Sequence, residues 1–342
     1  MAGVGGNGLQ FINDLQVEAP NAMDAESPGF FKASLSATEK EDYINAVQCL
    51  WDRHSEQTPG FSAAQNLYDD FVATHIQQAD TIHSTGLFLT WHRLSIWTWE
   101  CGYKGYLPYW NWYECPDDPA GSAVFDGSAT SIGGDGAYFQ HDGTLIADRF
   151  LLPSGKGGGC VESGPFANRT IHLRPLAPEM QGLGPVMTSI RDFNPRCLRR
   201  DLSVAPQAAF NDVGLQKLMK GNDSSTVGAF QAALQHHSSM SSSGEPSTLH
   251  NEGHYSLGGD ATCSPSSYND PAFYLHHAMV DRIYWVWQAL HPEQALTVAG
   301  SAGPSREVVM EDLLEMGTVG ASYRIKDMLD TLGGSPLCYV YV

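Results

Sequence analysis

Histidine is the residue type whose number and spacing in this sequence most directly suggest chemistry. The chain contains 13 histidines, and several of them lie in two separated, apolar stretches. These are His75, His83 and His92 in the first stretch, and His250, His254, His276 and His277 in the second. A neutral imidazole is costly to bury without a partner, and it is a good ligand for copper, zinc, iron and nickel. Each stretch can offer three imidazoles, so the pattern predicts two metal ions.

Simpler explanations do not account for the second stretch. His250 and His254 are four residues apart, which places both imidazoles on one face of a helix. The segment is not the metalloprotease motif, because that motif has Glu directly after its first histidine and this chain has Asn251 there. One histidine on a helix face is usually a core residue with a satisfied partner. Several such histidines in a chain without a CxxC pair favour metal binding instead.

The elements that must position these histidines are mainly helices. Apolar residues recur at spacings of three and four, as in amphipathic helices, in residues 36–51, 67–79, 90–101 and 270–290. The first of these helices begins at a capping box at Ser36. The last begins at Asp270-Pro271, a favourable N-cap followed by a first-turn proline.

The remaining segments predict loops within a single domain. Residues 115–196 are rich in Gly, Pro, Ser and Asp, and they predict loops with a few short strands. Residues 238–247 predict a flexible loop before a further short helix. No change of composition divides the chain, so we expect one domain over residues 1–342, with an irregular N-terminal extension to about residue 30.

Composition and charge narrow the class of protein. The chain is 42% hydrophobic and 17% charged, which is too apolar for an intrinsically disordered protein. Nineteen basic against 38 acidic residues give a net charge of −19, which repels nucleic acid and anionic lipid. No apolar run is long enough to span a membrane. We therefore expect a folded, acidic protein without nucleic-acid or membrane partners.

Cysteines and glycosylation sequons suggest the compartment. The seven cysteines are dispersed, which predicts up to three disulfides with one thiol left over. Sequons for N-glycosylation occur at Asn168 and Asn222. The pattern favours a secreted protein whose signal peptide has been removed, and the alternative is a cytosolic enzyme with buried free thiols.

Four motifs resemble those of tyrosinases and catechol oxidases, the polyphenol oxidases. Phe88-Leu-Thr-Trp-His92-Arg93 resembles their copper A signature, and Asp270-Pro-Ala-Phe-Tyr-Leu-His-His277-Ala-Met-Val-Asp-Arg282 resembles their copper B signature. Residues 108–112 and 339–341 are similar to two further segments of these enzymes, the second being a tyrosine motif. The match spans about residues 36–342, and its length and loop pattern suggest the short fungal form.

This resemblance implies a mainly α fold, in which a four-helix bundle holds a dinuclear copper centre, with long loops and a few short strands. It implies that His75, His83 and His92 bind copper A, and that His250, His254 and His277 bind copper B. His276 would then pack beside the site.

The resemblance also implies two differences from many relatives, one in a cross-link at the copper A site and one in the C-terminal shielding domain. Many relatives cross-link a cysteine to the second copper A ligand, but Thr81 stands at that position here, so the thioether should be missing. The chain stops at the tyrosine motif, so we expect no C-terminal shielding domain and activity without proteolysis.

The implied function is oxidation of o-diphenols, and o-hydroxylation of monophenols, to o-quinones with O2. Two copper ions are needed because each supplies one electron, whereas the first reduction of O2 takes two. The alternatives are a dicopper oxygen carrier without turnover and a catechol oxidase that lacks monophenolase activity. We expect a monomer whose partners are phenols and O2.

Four further residues are candidates for substrate chemistry. Asn251 matches a position linked to monophenolase activity in relatives, where an Asn and a Glu hold a water that can deprotonate the phenol. Glu245 is the candidate for that Glu, and the alternative is a solvated loop residue. We assign Tyr255, next to His254, and Phe273 to the substrate pocket.

Overall fold

The structure, a computed structural model, describes residues 29–32, 35–98, 101, 103–146, 150–173, 189, 191–204, 210–235, 248–303, 305–333 and 336–342. Helices dominate this part of the chain, as predicted. They are α1 (Ala37–Asp52), α2 (Leu67–Ile82), α3 (Phe88–Trp97), α4 (Asp212–Lys220), α5 (Val227–Gln235), α6 (Leu249–Leu257) and α7 (Ala272–Leu290).

The strands of the described residues are short. They are β1 (Gly29–Lys32), β2 (Leu107–Pro108), β3 (Gly136–Tyr138), β4 (Thr144–Ile146), β5 (Phe150–Leu152), β6 (Gly158–Val161), β7 (Thr170–Ile171), β8 (Arg196–Cys197), β9 (Leu313–Leu314), β10 (Tyr323–Arg324) and β11 (Tyr339–Tyr341). The strands between residues 115 and 196 and β8 form small antiparallel pairs, which confirms the prediction of loops with short strands there.

The predicted helix starts agree with the local hydrogen bonds. Before α1, the Glu39 N–H donates to Ser36 Oγ at 3.3 Å and the Ser36 N–H donates to the Glu39 carboxylate at 2.7 Å. Asp270 Oδ1 accepts from the Ala272 N–H at 2.9 Å, which caps the start of α7. Both contacts satisfy backbone donors that a helix terminus leaves open.

The predicted helix over residues 90–101 is wrong at both ends. Helix α3 begins at Phe88 and ends at Trp97. Cys101 has a φ of 65°, which is left-handed and incompatible with a continuing helix. The apolar periodicity extends past Trp97, but a disulfide from Cys101 to Cys49 turns the chain back onto α1.

Helices α2, α3, α6 and α7 form the bundle that carries the two histidine stretches. Helix α3 packs along α7, and α6 packs against α5 and α7. Two short 3-10 helices, Gly259–Thr262 and Ser264–Asn269, connect α6 to α7, and the second of them packs on α2. The four helices therefore surround one interior.

A buried ion pair fixes α3 against α7. Arg93 Nε donates to Asp281 Oδ1 at 2.6 Å, and both side chains are almost fully buried. The same guanidinium donates to two backbone carbonyls near residue 328, and the hydroxyls of Tyr339 and Tyr341 donate to the Asp281 carboxylate. A buried charge pair is tolerated when its remaining donors and acceptors are satisfied in this way, so the tyrosine motif completes the α3–α7 contact.

The two ends of the described chain meet in one small sheet. Strand β1 lies between β11 and β2 and pairs with both in parallel. Part of the predicted irregular extension to about residue 30 is therefore a strand, because Gly29 pairs with Tyr339. Residues 1–28 of that extension and the predicted loop 238–247 lie outside the described residues.

All seven cysteines fall within the described residues, and two disulfides form. Cys49 pairs with Cys101, and Cys160 pairs with Cys197. The prediction of disulfides is confirmed, with two bridges of the possible three. The other three cysteines, Cys115, Cys263 and Cys338, are thiols. None of the described helices has the length and apolar character needed to cross a membrane.

Candidate metal centre

The fold gathers the histidines of the two stretches into two groups. Within each group the candidate ligand atoms lie within 4.8 Å of one another. Group A is His75, His83 and His92. Group B is His250, His254, His276 and His277. Among the described residues these are the groups of three or more His, Cys, Asp or Glu that could hold a metal ion.

Group A comes from α2, α3 and the residue that ends α2. His75 lies in the middle of α2, His83 is its C-cap and His92 lies in α3. Their ring centroids are 5.0 to 5.7 Å apart. Each Nδ1 faces a backbone carbonyl oxygen at 2.8 or 2.9 Å, on Pro265, Ala79 and Phe88 respectively.

These hydrogen bonds leave the other ring nitrogen for a metal. When Nδ1 carries the proton and donates to a carbonyl, Nε2 keeps its lone pair. The Nε2 atoms of His75 and His92 are buried and have no hydrogen-bond partner. Buried polar atoms are nearly always paired, so the orphaned nitrogens fit a metal ion that the polypeptide itself does not supply.

Group B comes from one face of α6 and the second turn of α7. His250 and His254 lie one helical turn apart, with ring centroids separated by 4.8 Å. The Nδ1 of His250 lies 3.0 Å from Asn251 Oδ1. Its Nε2 and both ring nitrogens of His277 are buried without partners, which again leaves lone pairs for a metal.

The adjacent His276 and His277 occupy different surroundings. The His277 ring stacks on His92 of group A, with centroids 4.3 Å apart and planes 11° apart. The His276 ring lies 5.2 Å from Trp112 and 4.3 Å from His254. His277 therefore faces the other group, whereas His276 packs between α6 and a tryptophan. This placement favours His277 as the third ligand of group B.

Burial keeps the imidazoles neutral. Burial, with a smaller contribution from the neighbouring His83, lowers the pKa of His75 to about 3. Burial is also the main cause that lowers the pKa of His92 and His277 well below the usual value. A ligand must be deprotonated to bind a metal, and these histidines are neutral near pH 7 without one.

Two phenylalanines stand in equivalent positions beside the groups. Phe273, a predicted pocket residue, is buried with its ring centroid 4.2 Å from His277 and 5.2 Å from His75. Phe88 lies 4.7 Å from His92 and 4.9 Å from His250. Sequence reasoning missed Phe88. The signal was its spacing, because Phe88 precedes His92 by four residues as Phe273 precedes His277.

The structure describes some, but not all, of the other residues that the sequence assigned to the site. Asn251 contacts His250, as described above. Tyr255 is buried on α6, and burial raises its pKa to about 12. Thr81 is exposed and donates its hydroxyl to the Gln78 carbonyl, so no cysteine stands at the thioether position. Glu245 lies outside the described residues.

Two histidines outside groups A and B contact carboxylates. His141 Nε2 lies 3.0 Å from Asp201 Oδ2, and both side chains are buried. His172 Nδ1 lies 2.7 Å from Asp69 Oδ2. Each pair joins a histidine of the loop-rich region, residues 115–196, to an aspartate outside that region.

The arrangement of helices and histidines defines a class of protein. A helical bundle presents two buried groups of neutral imidazoles to each other, joined by the His92–His277 stack. Such an arrangement suits a dinuclear site for a transition metal that prefers nitrogen ligands.

Comparisons with known proteins identify the family. The model for the common central domain of tyrosinase matches residues 65–290. Tyrosinase P of Aspergillus terreus is 34% identical over 325 residues, which are 90% of this chain and 89% of that protein. N-acetyl-6-hydroxytryptophan oxidase of Emericella nidulans is 32% identical over 97% of this chain and 96% of that protein. A solved polyphenol oxidase variant from Thermothelomyces thermophila is 33% identical, with a TM-score of 0.78 over 92% of this chain and 89% of that one.

The chain belongs to the tyrosinase family. It is a copper-dependent oxidoreductase of phenols, and its cofactor is the dinuclear copper centre of that family, which the two histidine groups fit through their orphaned ring nitrogens. The resemblance drawn from the sequence motifs is thereby confirmed, as is the mainly helical fold.

Proposed function

We propose that this protein oxidises o-diphenols to o-quinones and also hydroxylates monophenols at the ortho position. The observation that supports this proposal is the stacking of His92 on His277, because it brings the two groups of neutral imidazoles together across one interface. Copper bound there would supply the exchange of electrons between the phenol and O2.

We assign the copper ligands from the ring environments. In this assignment His75, His83 and His92 hold copper A, and His250, His254 and His277 hold copper B. His276 is left out because its ring lies against Trp112 rather than against group A. Carbonyl oxygens that accept from Nδ1 orient the group A rings, and such outer contacts commonly affect metal affinity 10- to 100-fold, as an order of magnitude.

The phenylalanines and Tyr255 form the surroundings of the substrate in this proposal. Phe88 and Phe273 are buried among the histidine rings, so they exclude water and offer ring edges to a phenol. Burial raises the pKa of Tyr255 to about 12, so its hydroxyl stays protonated at neutral pH and can act only as a neutral hydrogen-bonding group.

Asn251 is the residue that we connect to monophenol hydroxylation. Its Oδ1 lies 3.0 Å from His250 Nδ1 and its Nδ2 donates to the Gln235 carbonyl at 3.0 Å. Asn251 therefore orients the imidazole of a proposed copper B ligand. Together with Glu245, it is also our candidate for holding the water that deprotonates an incoming phenol.

The central experiment combines copper stoichiometry with O2 consumption on a monophenol and on its catechol. We expect two coppers per chain, turnover of both substrates and faster turnover of the catechol. The catechol reaction should consume one O2 for two quinones, and the monophenol reaction one O2 for each quinone, because one oxygen atom then enters the ring.

Each other outcome changes the proposal. Two coppers without turnover would indicate an oxygen carrier. Oxidation of the catechol alone would indicate a catechol oxidase. A protein that binds no copper under any loading condition would contradict the site assignment itself.

Replacing Asn251 tests the finer claim. Asn251→Gly should reduce monophenol hydroxylation by more than catechol oxidation, since the role proposed for Asn251 is to hold the water that deprotonates an incoming monophenol. Asn251→Asp keeps an oxygen that can accept from His250 Nδ1, and it serves as the matched variant. The measurement is the ratio of kcat/KM for the two substrates. Equal losses for both substrates would refute this role.

We also propose that the chain is one tyrosinase-like catalytic domain, secreted and monomeric. Two disulfides support an oxidising compartment, and both sequon asparagines, Asn168 and Asn222, are exposed. Mass spectrometry of protein exported by a fungal host should find N-glycans on at least one of them. Absence of glycan together with free thiols at Cys49 and Cys101 would contradict secretion.

A further inference from the structure

Gln235 connects the two histidine groups by hydrogen bonds. It is the last residue of α5 and its side chain is buried, with 7% exposed. Its side-chain Oε1 accepts from the backbone N–H of Ser84 at 2.9 Å. Its backbone carbonyl accepts from Asn251 Nδ2 at 3.0 Å. Ser84 directly follows His83, and Asn251 directly follows His250, so one residue contacts a neighbour of each group.

The turn after His83 depends on contacts from outside α2. His75 and His92 lie within helices, whereas His83 is the C-cap at the end of α2. Ser84 has a φ of 56°, and a non-glycine residue adopts this left-handed conformation only when its surroundings hold it there.

Two different partners hold that turn. Gly86 N–H donates to the Ser301 carbonyl at 2.8 Å, which fixes the far end of the turn. Gln235 fixes the near end through the Ser84 N–H. The peptide that joins His83 to Ser84 therefore takes its orientation from the Gln235 side chain, and the His83 imidazole is attached to that peptide.

We propose that Gln235 is a positioning residue for the dinuclear site. Its side-chain oxygen holds the turn that carries His83, while its backbone carbonyl holds Asn251 beside His250. Gln235 thereby fixes the distance between group A and group B. The inference rests on the proposed function, because it takes His83 and His250 as copper ligands. It assigns to Gln235 no contact with substrate or with copper.

Variants of Gln235 can remove or keep the side-chain oxygen that accepts from the Ser84 N–H. Gln235→Met has a similar length and lacks the acceptor for Ser84 N–H. Gln235→Glu keeps an oxygen acceptor at the same reach, and it replaces the amide Nε2, which is buried without a partner. Gln231→Met is the matched control, since Gln231 lies one turn earlier on α5 with 6% exposed.

The readout is the rate at which copper leaves the loaded protein in excess EDTA, followed by elemental analysis of the protein fraction. We expect Gln235→Met to lose copper about fivefold faster than the unmodified protein, as the net value of one hydrogen bond suggests. Gln235→Glu and Gln231→Met should stay within about twofold of it. Where Gln235→Met does not fold, Gln235→Asn, whose shorter amide cannot reach Ser84, takes its place.

Two results would overturn the inference. One is copper loss from Gln235→Met at the rate of the Gln231→Met control. The other is copper loss from Gln235→Glu as fast as from Gln235→Met, because the acceptor oxygen would then not be the group that matters. Copper retention does not depend on turnover. A protein that holds two coppers without oxidising phenols therefore refutes the proposed activity and still tests Gln235.

Discussion

Group A and group B offer their nitrogens in different ways. In group A all three Nδ1 atoms face backbone carbonyl oxygens. In group B, His250 Nδ1 faces the side chain of Asn251, His254 has a backbone hydrogen bond to Ala261, and both ring nitrogens of His277 are buried without hydrogen-bond partners. Backbone carbonyls orient all three rings of group A, whereas group B has a mixed set of contacts and His277 is oriented by the packing of its ring on His92.

The difference has a local cause. The Ala79 and Phe88 carbonyls belong to residues four positions before His83 and His92, so the chain next to each histidine orients it. In group B, His254 lies 4.3 Å from His276 and 5.4 Å from His277 between ring centroids. Substitutions of packing neighbours should therefore disturb group B more than group A.

The largest expected effect separates the two adjacent histidines of group B. His277→Ala should lower copper from two per chain to about one and reduce phenol oxidation by more than about 100-fold, since it removes a proposed ligand. His276→Ala should keep nearly two coppers per chain. Its phenol oxidation should fall by about 10- to 100-fold, the range for residues that orient metal ligands. Elemental analysis and oxygen uptake measure both. The reverse order of effects would make His276 the ligand.

The next largest effect that we expect is a fall in the free energy of unfolding of the copper-free protein in acid. Burial lowers the pKa of group A and group B histidines, to about 3 for His75. The unfolded chain takes up protons below about pH 6.5, whereas the folded chain does not. The free energy of unfolding therefore keeps its full value above about pH 6.5. Below that pH it falls by about 1.4 kcal/mol per pH unit for each such histidine.

The measurement is the free energy of unfolding of the copper-free protein in guanidinium chloride at pH 7.5 and 5.5. We expect a fall of several kcal/mol. His276→Gln should reduce the slope of the unfolding free energy against pH by about one proton, because it removes one histidine whose pKa burial lowers. An unfolding free energy that is constant over this range would mean that the histidine groups open to water without copper.

The sequence predicted the parts of the site that depend on local order. Helix periodicity and the four-residue spacing of His250 and His254 predict which histidines share a face, and α2 and α7 lie close to where the pattern indicates. The motif resemblance supplied the family and the cofactor. These features are local because a helix places side chains by spacing alone.

The rest depends on contacts between residues that are distant in the chain. The hydrogen bond from Ser84 to Gln235 joins positions 151 residues apart, and no spacing rule indicates it. The pairing of Cys49 with Cys101 ends α3 earlier than its apolar pattern suggests. The His141–Asp201 contact likewise depends on how a loop folds back. Such contacts follow from tertiary packing, which overrides local preference.

The smallest expected effect tests whether ring packing orients group B. A Cβ on Gly253 would lie 2.1 Å from His276 Cε1 and 2.3 Å from its Nδ1, so Gly253→Ala must displace that ring. Overpacking should lower the free energy of unfolding by about 1 to 3 kcal/mol. The higher helix propensity of alanine, which is about 1 kcal/mol better than that of glycine, opposes this loss. Thermal or guanidinium unfolding of the copper-free protein gives this value.

The same substitution in the His276→Ala background completes the test as a double-mutant cycle. With the ring removed, the added methyl has space, so Gly253→Ala should cost little or become stabilising. A cost that is equal in both backgrounds would show that the methyl acts on the helix rather than through His276. In that case the imidazoles of group B are not oriented by the ring packed against Gly253, and the contrast with group A would lose its physical basis.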